Sequence, residues 1–520
     1  MNKHVKIVIS LVIVGAIALL GYKAILVAKN DQTQLSTSDA KDIKAHIRIG
    51  VDNWVGYLPL CSAELKKRMR QARYLLECIE DQADYSGRIK KLKKHQLDFA
   101  VATVDSYLLN GAQADYPGAI VAVIDESKGG DAVVGWKDSI GTINDLKNNA
   151  ALRIGYTPNS PSEHLLKVIS SHFNVPHLRE VGGDWRVETN GSTDALNKLL
   201  KKEAQVAVLW EPDVSKALGN EGVEKILGTE DTRNLIVDIL LVNRDYYQEN
   251  KAVVSDLLYH YFRVLKHFKQ NPEALVSLLV QRDSMTKESA ETVLAGVHWV
   301  SLTENALSWF GAKVEGVRSK EGLVESIDAT LDILLEAGDF SSSPLPDNNP
   351  YRLTQSDIIT SLFSTGNSIG FGNNGNESGP DSLTQSFSTL SADGWQSMRV
   401  VGTLRNRALS FQSGTFSLDE ASKIELDKAA EQLSHYPNFR LVVGGHTGLR
   451  GDTQANKALS KSRAETVARY FSQTYGVDKN RLRAVGYGSE RPLPKLPGES
   501  RRSHNYRLPR VDLSLVAEEL

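Results

Sequence analysis

Cysteine is nearly missing from this chain: 520 residues carry two, Cys61 and Cys78. That excludes a cysteine-rich scaffold, and no His/Cys spacing suited to a metal site occurs. A charge surplus is missing too. With 61 Lys+Arg against 63 Asp+Glu, nothing electrostatic argues for nucleic acid as a partner. No Gly-rich phosphate loop and no nucleophile–base spacing is found, so the chain reads as non-enzymatic and without a cofactor. GNSIG, Gly366–Gly370, fits G-x-S-x-G, but lacks the preceding strand and following helix that motif needs.

Long apolar runs are absent except for one. Ile7 to Tyr22 is uncharged, and beyond Lys23 the apolar character continues to Ala28. Counted through Lys23 this is about 22 residues, long enough for a bilayer. Lys3 and Lys6 favour a cytoplasmic N-terminus and an exported remainder. Residues 1–29 therefore read as an anchor in the inner membrane. The alternative is a cleaved signal peptide, for which Leu26-Val27-Ala28 is a poor site. No cysteine precedes Cys61, which disfavours a lipoprotein.

The length suggests two to four folding units at roughly 100–200 residues each. From residue 45 to 338, strand-like runs (HIRIGVDNW, YLLECIED, LDFAVATV, ALRIGY, QVAVLW, NLIVDILLVN) alternate with helical patterns. This predicts an α/β domain with mostly parallel sheets. In a βαβ unit Cys61 and Cys78 fall at one sheet edge and read either as a disulfide or as two buried thiols. Residues 341–393 are rich in Ser, Gly and Asn and are predicted to be a flexible linker, with YRLTQSDIITSLF as one short helix within it. From 395 to 520 strands and helices resume, implying an α+β domain: GTLRNRALSF, FRLVVGGH and YRLPRVDLSLV as strands, with amphipathic helices between them.

That last domain carries GHT (Gly445–Thr447), N-x-x-L-S-x-x-R-A (Asn456–Ala464) and RL-x-x-x-GYG (Arg481–Gly488), in order. It resembles the OmpA-like peptidoglycan-binding domain. The resemblance implies that Arg463 pairs with a diaminopimelate carboxylate, a task suited to a bidentate guanidinium. Thr447 and Asn456 belong to the same pattern. Where the family has an aspartate for the ammonium end, this chain has Gly448. Asp452 either swings in to replace it or caps the next helix. The closing HNYRLPRV is longer than the family's segment by about two residues, and Arg507 or Arg510 could stand in for its arginine.

Residues 45–338 are similar to periplasmic substrate-binding proteins of the nitrate, taurine and alkanesulfonate type. IRIGVDNWVGYLPL, FAVATVDSYL, LRIGYTPNSPSEHLL and VAVLWEPDVSKAL carry that resemblance. It implies a type II fold with lobe one at about 45–130 and 235–338, and lobe two at about 135–230. Ligands in such folds sit at strand C-termini and helix N-termini. Candidate solute contacts are Trp54, Tyr57, Asp105, Ser106, Ser160, Ser162, Trp210, Glu211 and Asp238. Ser160 with Pro161 reads equally as an ordinary helix cap, with Glu163 as its capping-box partner.

Together these imply a non-enzymatic envelope protein that binds a small solute and attaches to peptidoglycan, for sensing or capture. One rival is a receptor for an ABC transporter of the inner membrane. Another is a structural partner of a proton-channel-type complex, although Ile7–Ala28 carries no carboxylate to move a proton.

Overall fold

The computed structural model describes residues 43–518 except 181, 284, 314–317, 368–382, 408, 410 and 412–417. The proposed anchor at 1–29 and most of GNSIG lie outside the described residues. Among those described, no helix is long and apolar enough to cross a membrane.

Two sheets and their helices form two lobes. The chain begins with β1 (Ala45–Val51), β2 (Tyr74–Glu80), β3 (Phe99–Thr103) and β4 (Gly118–Ser127) in lobe one. It crosses to lobe two for β5 (Asp131–Trp136), β6 (Ile154–Tyr156), β7 (Arg186–Glu188), β8 (Val206–Trp210) and β9 (Val223–Gly228). It returns for β10 (Val237–Asn243) and β11 (Val297–Trp299). The sheet orders are β11-β4-β10-β3-β1-β2 and β7-β6-β8-β5-β9. Both sheets are mixed rather than mostly parallel. β10 runs antiparallel to β3 and β4, and β5 antiparallel to β8 and β9. The return strand and the crossing strand each enter a sheet backwards, a feature that alternation of strand and helix does not report. β3 and β10 are buried along their whole length, which explains their unbroken apolar runs. Cys61 and Cys78 form a disulfide with Cα atoms 6.0 Å apart.

Four helices position the sites: α1 (Val104–Gln113), α2 (Pro161–His172), α3 (Gly322–Ala337) and α4 (Asp357–Asn367). The last corrects the linker expectation for 341–393. Leu345 and Leu353 are buried, and Ile358, Ile359 and Phe363 pack into the core of lobe one. The Gln355 N–H donates to Ile120 O at 2.9 Å, and the Tyr247 hydroxyl bonds Asp357. The short helix expected in YRLTQSDIITSLF is present; the docking of this stretch on lobe one through these five apolar side chains is what the Ser/Gly/Asn-rich surroundings hid. At the far end, Phe387 N–H donates to Asp478 at 2.9 Å, and the Phe387 ring lies under Arg440.

The C-terminal domain adds β12 (Arg399–Leu404), α5 (Glu420–Ser434), β13 (Arg440–His446), α6 (Thr453–Tyr475), β14 (Leu482–Gly488), α7 (Arg501–Arg507) and β15 (Arg510–Ala517). Its sheet order is β12-β15-β13-β14. Two expected strands shift: the first begins at Arg399, ahead of GTLRNRALSF, and the YR of YRLPRV lies in α7. Helix α6 presses onto the sheet closely enough that a Cβ on Gly445 would lie 2.0 Å from Ser460 O.

This domain packs on lobe two through a shared apolar core that includes Phe173, Leu441 and Leu515. His172 Nδ1 meets the Tyr436 hydroxyl at 2.9 Å, and Arg233 N–H donates to His435 O at 2.9 Å. Glu336 of α3 joins three regions, bonding Ser171 and Arg179 of lobe two and Arg405 of the C-terminal domain. A cavity of about 240 Å³ lies at this junction, lined in part by His164, His172, His435 and Glu336.

Candidate functional site

The cleft between the lobes collects side chains from strand ends. After β1, Asp52 accepts the Trp54 N–H at 2.9 Å and Arg88 Nη2 at 2.9 Å. Arg88 is fully buried and also binds Asp81 at 2.6 and 2.7 Å. Burial lowers the Arg88 pKa, but Asp52 and Asp81 outweigh it, so the group is held above its ordinary value. On β4 and β10, Asp125 stands directly opposite Asp238 in the antiparallel register. Like charges so placed repel. Trp54 Nε1 donates to Asp125 at 3.1 Å, and the Tyr57 hydroxyl bonds Asp238. The two carboxyls can bond each other only by sharing a proton. Burial pushes Asp125 up to about 8 and also raises Asp238.

Two further carboxylates follow the same rule. Asp131 opens β5, and Asp105 lies in the first turn of α1; burial pushes each up to about 7. Asp105 is 1% exposed, and its Oδ2 has no hydrogen-bond partner. Asp52, Trp54, Tyr57, Tyr85, Asp131, Trp210 and Asp238 are among the residues lining a cavity of about 20 Å³, roughly the room one water needs.

Of the expected solute contacts, Trp54, Tyr57, Trp210 and Asp238 are brought together here. Ser106 and Thr103 form a reciprocal cap on α1, at 3.1 and 3.4 Å. Ser160 and Ser162 are likewise committed: Ser162 N–H donates to Ser160 Oγ at 3.2 Å, and Thr157 N–H to Ser162 Oγ at 2.9 Å. The ordinary-cap reading of that turn holds, although Glu163 reaches back to Asn159 rather than to Ser160. Glu211 turns to its own helix, accepting from Ser215 N and Oγ at 3.0 and 2.7 Å. Sequence reasoning missed Asp52, Asp125 and Asp131. The available signal was a carboxylate at each end of the apolar runs IRIGVD, AVIDES and DAVVGW.

In the C-terminal domain the candidate surface lies where β13 runs into α6. The Thr447 N–H donates to Gly488 O at 2.8 Å. A Cβ built on Gly448 would meet nothing within 4 Å. Asp452 is the N-cap of α6 and accepts the Ala455 N–H at 2.8 Å. Asp452 thus caps the helix through Oδ1. The Asn456 amide donates to Arg450 O at 3.0 Å, bracing the same loop. Arg463 lies with its guanidinium 5.0 Å from the Phe411 ring centroid, and its Nε has no partner. The proposed stand-ins are both occupied: Arg507 makes a two-point pair with Glu499 at 2.7 and 2.8 Å, and Arg510 pairs with Asp512 at 3.1 Å. Asp512 also holds the buried His446 at 3.0 Å.

Residues 410–506 match the OmpA family. Within the same region, the peptidoglycan-associated lipoprotein of Brucella melitensis is 37% identical over 82 residues, covering 16% of this chain and 48% of that protein. The outer membrane protein Omp38 of Acinetobacter baumannii is 32% identical over 98 residues, 19% of this chain and 28% of that protein. The chain thus spans about half or less of the length of these curated relatives. Among solved structures, the alkanesulfonate-binding protein SsuA from Xanthomonas axonopodis pv. citri bound to MOPS is similar at TM-score 0.46 and 15% identity. It covers 60% of this chain and 99% of its own. The periplasmic nitrate-binding protein NrtA from Synechocystis PCC 6803 is similar at TM-score 0.47 and 13% identity, covering 62% and 88%. The OmpA match ends short of β15, so the pairing of Arg510 with Asp512 is a feature of this chain beyond the matched span.

Proposed function

We propose that this chain is a non-enzymatic receptor of the cell envelope. Its interlobe cleft takes a small solute, its C-terminal domain holds peptidoglycan, and residues 1–29 anchor it in the inner membrane. The observation that carries the wall-binding part is Arg463. It stands at the OmpA-pattern position, it is backed by Phe411, and its Nε is without a partner. A buried guanidinium edge lacking an acceptor is a costly arrangement that a carboxylate ligand relieves. The Cys61–Cys78 disulfide supports export to an oxidising compartment. Co-sedimentation of the full chain with diaminopimelate-type sacculi tests the reading: binding is expected, and a chain that stays in the supernatant removes the wall from the account. For the anchor, membrane fractions washed at alkaline pH should retain the protein; release into the wash argues for a cleaved leader.

A further inference from the structure

We propose that the solute of the interlobe cleft is a small organic cation bearing N–H donors, an ammonium or a guanidinium. This rests on the receptor reading above and adds the chemistry of the ligand. The first reason is the lining. Three carboxylates, Asp52, Asp131 and Asp238, face the cavity, and no lysine or arginine lines it. The neighbouring cations are already engaged: Arg88 pairs with Asp52 and Asp81, and Lys167 of α2, whose charge reaches Asp105, pairs with Asp339 and Glu163. An oxyanion entering this cleft would find carboxyl groups and no lysine or arginine in the lining to pair with, and each carboxyl that ionised would repel it.

The second reason is an acceptor without a donor. Asp105, two residues beyond the Thr103 that lines the cavity, is buried with Oδ2 unpartnered. Trp54 and Tyr57 give the Asp125–Asp238 pair one donor each, and the buried Asp125 Oδ2 is left without a partner. A ligand with several N–H donors answers both needs. The third reason is the walls: Trp54, Tyr57, Tyr85 and Trp210 offer ring faces from both lobes, the surface that favours an organic cation. The helix turn at Ser160 and Ser162, which an anion would need, is already bonded internally and carries Glu163 beside it. The cavity of about 20 Å³ means the lobes must part for such a ligand to enter.

A linkage follows. Asp105 and Asp131 hold protons up to about pH 7 and Asp125 up to about 8. A cation pairs with the ionised forms, so its binding expels protons and tightens as pH rises through this range. Calorimetry on the full chain in detergent tests this, with agmatine, putrescine and choline against methanesulfonate, nitrate and neutral uracil, at pH 6.5 and 8.5. We expect agmatine or putrescine to bind at least tenfold tighter at pH 8.5, with proton release measured in buffers of different ionisation heat. Choline, which has no N–H, should bind more weakly. Asp131→Asn should weaken agmatine binding and reduce the protons released; the wild-type pH profile decides the matter if that variant misfolds. Binding of methanesulfonate, nitrate or uracil in preference to the cations overturns the cation and leaves the receptor standing. A cation affinity that is flat with pH overturns the carboxylate site. No response to any of the six overturns both.

Discussion

The interlobe cleft and the Arg463 face are opposites. The cleft gathers Asp105, Asp125, Asp131 and Asp238 in deep burial, with the neighbouring Arg88 already engaged by Asp52 and Asp81. The Arg463 face presents a half-buried guanidinium whose Nε lacks an acceptor, beside a loop where Gly448 leaves open space. One site is short of positive charge and the other of negative charge. Each imbalance costs folding energy in isolation, and each is relieved by a ligand of the opposite sign.

The largest way to disturb this contrast is Arg88→Met. It removes the buried cation behind the cleft and leaves Asp52 and Asp81 without their counter-charge. A loss of about 3–5 kcal/mol is expected, read as a fall in denaturant midpoint. An unchanged midpoint would show that the two aspartates simply take up protons. Next, Arg463→Ala removes the charged hydrogen-bonding group from the other site. At about 1.5–3 kcal/mol for such bonds, sacculus binding should fall below detection in a sedimentation assay while melting is unaffected; retained binding would place the contact elsewhere. Gly402→Ala tests the platform that carries the Arg463 face. The added Cβ would lie 2.5 Å from the Phe173 ring and 3.3 Å from Ile143. Overpacking of this kind costs about 1–3 kcal/mol, so proteolysis between lobe two and the C-terminal domain should accelerate.

pH separates the two regions by sign. The cleft carboxylates have folded pKa values raised above the ordinary 3.8. The stability they contribute is full below that value and is lost as pH rises to about 7–8. Buried His164 and His172 have lowered values, so the stability of the docking region is lost as pH falls below 6.5. Melting curves should therefore show the cleft weakening as pH rises to about 7–8 and the docked domain loosening as pH falls below 6.5. Asp125→Asn should flatten the alkaline limb only, and a limb of unchanged slope would remove the carboxyl pair as its cause. The smallest expected effect is Gly448→Asp, which fits without a clash. Wall binding should equal or exceed the wild type, and a marked loss would mean that the loop itself contacts the ligand.

The sequence made some of this legible and hid the rest for physical reasons. Arg463, Trp54, Tyr57 and Asp238 were visible because each follows an apolar run or sits in a fixed pattern. Asp125 was not, because its significance lies in facing Asp238 across two strands more than a hundred residues apart. Ser160 and Ser162 looked like anion contacts from the turn chemistry alone; only the internal bonds reveal that their donors are taken. The short helix carrying Ile359 and Phe363 was legible, but its docking on lobe one was not, because the polar residues around it read as a free tether.

The seating of the C-terminal domain on lobe two has a mechanical consequence. The tether is packed on lobe one as far as Phe363 and tied to the C-terminal domain at Phe387. If the chain is fixed to the membrane through lobe one and to the wall through the domain on lobe two, the two crossings between the lobes become a joint strung between two supports. Opening the cleft then changes the distance between supports. Pulling the envelope apart would act on the receptor as a negative ligand does, and turgor would enter its binding equilibrium.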